Sequence, residues 1–203
     1  LNLSKFCGIR IEHMNISRCK SFSLSLATVA FAFINLPSVS LAHEYSIIVK
    51  ISEQKLYLMN GNEASKIYPV STSRYGIGSR IKSYRTPLGV HRVAEKIGDG
   101  APLGAIFDGK RRYTGKTLII YIDDTRLSEN YELTRIIWLE GVEHGINKGK
   151  GIDSYKRLIY IHGTAEEGLI GTPASIGCIR MKNSDVIELF NLVNIGMIVE
   201  IKE

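Results

Sequence analysis

The chain has 203 residues, with 26 Lys and Arg against 20 Asp and Glu and a formal net charge of +6 at pH 7. Residues 1–42 hold four of those bases (Lys5, Arg10, Arg18, Lys20) and one of the acids (Glu12), which leaves +3 for residues 43–203. So mild a charge, with no basic stripe interleaved with aromatics, excludes a nucleic-acid-binding reading. There is no P-loop, no GxGxxG after a strand and no Cys/His cluster at zinc spacing, so neither a cofactor nor a metal is expected.

The first 42 residues read as targeting sequence. Arg18 and Lys20 precede an apolar run from Phe22 to Leu36, Pro37 breaks it, and Ser40-Leu41-Ala42 gives a small-x-small cleavage site. This predicts a signal peptide over 1–42, cut between Ala42 and His43, with Met14 as the natural start. The protein is then exported, to the periplasm or cell wall, and meets a membrane only through this segment. The run is shorter than the roughly 20 residues that span a bilayer; an uncleaved anchor is the alternative. Residues 43–203 are long enough for one domain with its own core.

Within that domain, 46–51, 55–59 and 67–71 read as a β-meander, with Asn60-Gly61-Asn62 as a turn. Further strands are predicted over 88–97, 118–122, 136–139, 157–161 and 197–201. Residues 183–194 form the clearest helix: Asn183 is placed to cap it, and Val186, Leu189, Phe190 and Val193 recur on one face. Gly76, Gly78, Gly98, Gly100, Gly104 and Gly109 mark long surface loops. Many short strands and little helix predict a mostly β sandwich or barrel with one or two helices and long Gly-rich loops.

The chain has three cysteines, and only Cys178 lies beyond the targeting stretch that holds Cys7 and Cys19. A lone thiol in an oxidising compartment forms no internal disulfide, and nucleophilic chemistry is one reason to keep it. His162, in Ile161-His162-Gly163-Thr164, ends an apolar strand sixteen positions earlier, a place where a sheet would fix a general base. Gly177 allows close backbone approach and N–H groups facing an oxyanion. Arg180, two residues past the thiol, shares its face in an extended segment and has the fork to bind a carboxylate. Ser175 either donates a hydrogen bond in the site or shapes the turn. Trp138 reads as core, and Lys110-Arg111-Arg112 as a solvated loop.

The ordered set His162-Gly163-Thr164, Gly171-Thr172-Pro173-Ala174, Ser175-Ile176-Gly177-Cys178-Ile179-Arg180-Met181 and Thr86-Pro87-Leu88-Gly89 resembles the L,D-transpeptidase catalytic domain (YkuD-like) over about 46–201. The resemblance implies that fold, with Cys178 as nucleophile, His162 as base, Gly177 in the oxyanion region, and Arg180, Ser175, Gly163 and Thr164 around the substrate. It implies acyl transfer on peptidoglycan stem tetrapeptides, with loss of D-alanine through a cysteine thioester. The acceptor is a second stem peptide or a wall-anchored protein. One position departs from the pattern: Ile176 stands where the family has a second histidine. An L,D-carboxypeptidase, or a catalytically impaired peptidoglycan-binding domain, is therefore the alternative. His91 and His144 are the other candidates to serve the thiol, and both read better as structural or exposed.

Overall fold

The computed structural model describes residues 45–108, 112–118 and 120–203. The signal-peptide and cleavage readings, and Gly109, Lys110 and Arg111, lie outside them. The first three strands, β1 (Tyr45–Lys50), β2 (Lys55–Asn60) and β3 (Glu63–Pro69), form an antiparallel meander. The last strand, β10 (Ile198–Lys202), runs parallel to β1 and antiparallel to β4 (Gly89–Ile97). Next to β4 lies β7 (Leu133–Gly141), the branch point of the sheet. β7 also pairs antiparallel with β8 (Tyr160–Gly163) and, at Leu133, meets β5 (Ala105–Phe107), which pairs with β6 (Tyr113–Thr117). Finally β9 (Ile179–Met181) runs parallel to β8. One α-helix, α1 (Asn183–Leu192), and a 3-10 turn at Glu167–Leu169 are the helical elements among the described residues.

Strand alternation divides the molecule into two faces. On one, Ile137 and Leu139 of β7, Ile161 of β8, and Ile179 and Met181 of β9 join the main core with Val186, Leu189 and Phe190 of α1. On the other, Ile136 and Trp138 of β7 and Tyr160 of β8 form a smaller cluster that Cys178 packs against. His162 and Arg180 follow Tyr160 and Cys178 by two residues, so period 2 puts them on that second face. Trp138 is core, as expected: it stacks on Tyr155 at 4.1 Å and meets Tyr160 edge-on at 5.3 Å.

Four readings of the sequence need correction. Among the described residues of 118–122, which leave out Ile119, no strand forms: the Leu118 N–H bonds to Gly104 O, and Tyr121 makes a single bridge to Glu166. The neighbouring strand is β6, whose residues are all exposed and give no alternation to read. The third strand begins at Glu63 and ends at Pro69, freeing Val70 and Ser71 for another task. The strand expected over 157–161 starts only at Tyr160, because the Arg157 N–H closes a turn on Asp153 O at 2.9 Å. Asn183 is the first helical residue and caps nothing; Lys182 occupies the cap position with no side-chain bond. Asn183 is fully buried, and its amide donates to Thr164 O and to Glu167 Oε1, each at 2.7 Å. Glu167 Oε1 also accepts the Asn183 N–H at 2.7 Å, so a carboxylate from another segment satisfies the helix start.

Asn183 therefore ties α1 to the end of β8, and Gly163 is the residue that lets it. A Cβ on Gly163 would sit 2.3 Å from Asn183 Oδ1 and 2.8 Å from Leu133 O. Both neighbours are held, Asn183 Oδ1 by the Thr134 hydroxyl and Leu133 by the sheet. Gly163→Ala is expected to cost about 1–3 kcal/mol, read as a lower urea midpoint. A variant as stable as the parent would mean that α1 and β8 part freely.

Candidate active site

Cys178 immediately precedes β9 and lies in a turn held from three sides. The Ser175 hydroxyl donates to Cys178 O at 2.6 Å and accepts the Gly177 N–H at 3.2 Å. The Thr86 hydroxyl donates to Gly177 O at 3.0 Å and accepts the Ser73 N–H at 3.0 Å. A strap formed by Val70 to Arg74 lies against the turn: Ala174 and Ser175 N–H both bond to Thr72 O at 3.0 Å, and Ser71 exchanges two 2.9 Å bonds with Arg180. Gln54 pins the strap, accepting the Thr72 N–H and donating to the Thr72 hydroxyl, each at 2.8 Å. Gly177 has φ +133°, which a side-chain-bearing residue rarely adopts, so glycine is needed here for conformation.

The thiol faces a cavity of about 230 Å³. Ile81, Leu158 and Ile176 give it apolar walls, and Lys82, Lys156 and Arg157 give it charge. Ile176 thus borders the thiol's cavity. Cys178 Sγ–H donates to Leu158 O at 3.3 Å. Burial pushes the thiol up to about 12, and the negative charge of Glu132 adds to this. The Tyr160 backbone N–H and the positive charges of Arg180 and Arg157 work the other way.

His162 is fully buried on the same sheet face, paired across the ladder with Arg180. Its Nδ1 lies 2.7 Å from Gly163 O. A carbonyl only accepts, so Nδ1 carries the proton and Nε2 presents a bare lone pair. That Nε2 is buried and has no partner. Burial, and then the charge of Arg180, hold the imidazole down to about 3, so it is neutral at physiological pH. No hydrogen bond joins it to Sγ, whose proton points to Leu158.

The remaining expected residues are placed as follows. Arg180 is buried, with its guanidinium in an ion pair with Glu166 and a hydrogen bond to Asn130 Oδ1. It does not line the cavity at Cys178. Ser175 shapes the turn. Gly163 and Thr164 are buried behind His162, where Thr164 Oγ1 accepts the Glu166 N–H at 3.1 Å. The Gly177 N–H expected at an oxyanion is held by Ser175 Oγ. His91 is buried, bonding Gly89 O at 2.9 Å and Ser154 Oγ at 3.0 Å, and burial lowers it to about 4. His144 is exposed, and neither lines the cavity. Sequence reasoning missed Gln54, Glu166, Asn130 and Arg157. Gln54, Glu166 and Asn130 sit in loops without a sequence pattern, and Arg157 fell in the segment read as a strand over 157–161.

Residues 44–201 match the family model of the L,D-transpeptidase catalytic domain, YkuD. The chain belongs to that family. Solved structures similar to it include an L,D-transpeptidase from Mycobacterium smegmatis, 15% identical over 79% of this chain and 59% of that one, with a TM-score of 0.47. Another is L,D-transpeptidase 3 from Mycobacterium tuberculosis, solved with a faropenem-derived adduct, at 18% identity, 78% and 60% coverage and TM-score 0.47. A third, from Enterococcus faecium, is 16% identical over 78% and 50%, with TM-score 0.43. The chain spans three fifths or less of the length of these proteins. Among curated proteins none matches it.

The two buried histidines set the acid sensitivity of the fold. Their ordinary value is 6.5 and their folded values are about 4 and about 3, so below pH 6.5 the unfolded chain takes up protons that the folded one refuses. Their contribution is complete above pH 6.5 and is lost as pH falls toward those folded values. Unfolding free energy is expected to fall by up to ~1.4 kcal/mol per pH unit for each histidine. Urea midpoints at about pH 7.5, 6 and 5 check this. A flat profile would show that both imidazoles charge freely in the folded protein.

Proposed function

We propose that this domain is a peptidoglycan L,D-transpeptidase, and that its acyl transfer runs through a thioester on Cys178. The observation that supports this best is His162: a neutral, Nδ1-protonated imidazole whose bare Nε2 is buried, unpartnered and on the sheet face of the thiol. That is the protonation state a general base requires. Rotation of the thiol away from Leu158 O delivers its proton to Nε2 as sulfur attacks. The attacked carbonyl belongs to the third residue of a stem tetrapeptide. The oxyanion competes with Ser175 for the Gly177 N–H. The bond to D-alanine breaks, and the imidazolium returns the proton to the departing amine. An acceptor amine then attacks the thioester and gives its spare proton to His162, which passes it to the departing sulfur, so that Cys178 is released as a thiol and His162 is neutral again. The acceptor is a second stem peptide or a wall-anchored protein. The domain, residues 43–203, works outside the cytoplasm in the periplasm or cell wall, after a signal peptide over 1–42 directs export.

A second reading rests on Ile176. An apolar side chain in the cavity and a thiol raised to about 12 both slow acylation, which favours an L,D-carboxypeptidase or a domain that binds stem peptides without turning them over. Incubation of the protein with a disaccharide-tetrapeptide, followed by mass spectrometry, separates the readings. A dimer lacking one D-alanine is the expected product, and Cys178→Ala should give none. Tripeptide alone would establish the carboxypeptidase, and absence of both product and thioester would leave only binding.

Ile176→His is expected to raise the acylation rate in a normally folded protein, about tenfold or more, on the scale of general acid–base assistance. Single-turnover thioester formation measures it. An unchanged or slower rate would show that the site is built around isoleucine.

A further inference from the structure

In the resemblance, Arg180 was the residue expected to receive a substrate carboxylate. The structure commits that guanidinium to Glu166 and Asn130, under cover and outside the cavity at the thiol. Three other cations line the cavity, and no acidic side chain does. Lys82 and Lys156 are exposed, and neither takes part in an ion pair among the described residues. Arg157 is partly buried and donates to two backbone carbonyls, Arg85 O at 2.7 Å and Gly78 O at 3.3 Å. Those bonds fix its plane and leave donors of its five-donor fork free. Asp153, in the adjoining cavity, accepts the backbone N–H of Lys156 at 3.0 Å. A fixed, partly desolvated guanidinium flanked by two mobile ammonium groups beside a nucleophile is a receptor for an anion.

We infer that Arg157, with Lys82 and Lys156, binds the terminal carboxylate of the donor stem peptide and so restricts the enzyme to stems ending in a free acid one residue past the scissile bond. This rests on the acyl-transfer reading above. In such a donor the carboxylate carbon is three bonds from the attacked carbonyl carbon, at most about 4 Å away. A carbonyl in reach of Cys178 therefore brings its carboxylate to the same small cavity. A longer stem places a neutral amide there instead, and the three cations lose their partner. Ile81 and Ile176 give the cavity the apolar walls that would take the D-alanine methyl and strengthen the charge contact by excluding water.

The test measures binding apart from chemistry. Cys178→Ala protein is titrated calorimetrically with a stem tetrapeptide ending in free D-alanine and with the same peptide ending in D-alaninamide. The acid is expected to bind at least tenfold tighter, with an advantage that shrinks in salt. Lys82→Gln with Lys156→Gln, which disturbs no observed side-chain bond, should bring the acid's affinity toward that of the amide. Arg157→Lys should weaken the acid less than Arg157→Gln does. Equal affinity for the two peptides, no binding of the acid, or an advantage untouched by the double substitution would overturn the inference. D-alanine release by the unsubstituted protein is scored separately: its absence alongside a clear preference for the acid would count against the acyl-transfer reading and not against the carboxylate site.

Discussion

The parallel pairing of Tyr160–Gly163 with Ile179–Met181 is the constraint from which the site follows. It aligns His162 with Arg180 and brings the end of β8 beside the turn that carries Cys178. Because side chains alternate along each strand, the same pairing sends Ile161, Ile179 and Met181 into the main core and leaves Tyr160, His162, Cys178 and Arg180 on the opposite face. The apolar side anchors the polar side. A one-residue slip would exchange the two sets, burying a guanidinium and an imidazole among Ile47, Val186 and Leu189, so the core enforces the register of the chemistry.

Parallel strands cannot be joined by a tight turn, and the connection between β8 and β9 shows how this one is stabilised. It contains the 3-10 turn and the Gly171–Ala174 stretch, then enters the cysteine turn. Besides its own internal turns, it takes hydrogen bonds from several segments elsewhere in the chain. Val70 to Arg74 supplies backbone partners, Thr86 holds Gly177, and Gln54 holds the strap itself. Glu167 reaches the helix start and Glu166 the Arg180 guanidinium. The loop is therefore tied to segments distant in sequence by hydrogen bonds, with Ala165, Leu169 and Ala174 buried beneath it.

This division explains what could be read from the residues alone. The mostly β architecture, the strands at 46–51, 55–59, 88–97 and 197–201 and the amphipathic helix were legible because alternation and helical periodicity record which side is buried. Cys178 stood out as the one cysteine beyond residue 42, and the structure places it at a cavity. The edge strand Tyr113–Thr117 was not legible, since all its residues are exposed and carry no pattern. Asn183 looked like a cap because asparagine before a helix usually is one; only the fold shows its amide drawn under Gly163 toward Thr164 and Glu167. Arg180 was read onto the right face, but the residues that occupy it, Glu166 and Asn130, arrive from loops with no sequence signature.

The electrostatics of the site form one system. A neutral imidazole and a neutral thiol cost little to bury, whereas a resting thiolate–imidazolium pair would need more solvation than this apolar turn supplies. Burial, and then the positive charge of Arg180, keep His162 neutral, and Glu166 in turn holds Arg180 in place. In the proposed acyl transfer, charge is therefore created only when the substrate is present, at the moment sulfur attacks. The developing negative charge on sulfur and oxygen raises the proton affinity of His162 while the Tyr160 N–H and the cations at the cavity favour the anion. Ile176 belongs to the same logic: an isoleucine beside the thiol offers no competing proton acceptor, so in the proposed mechanism the thiol and imidazole rest uncharged and the bound peptide completes the site.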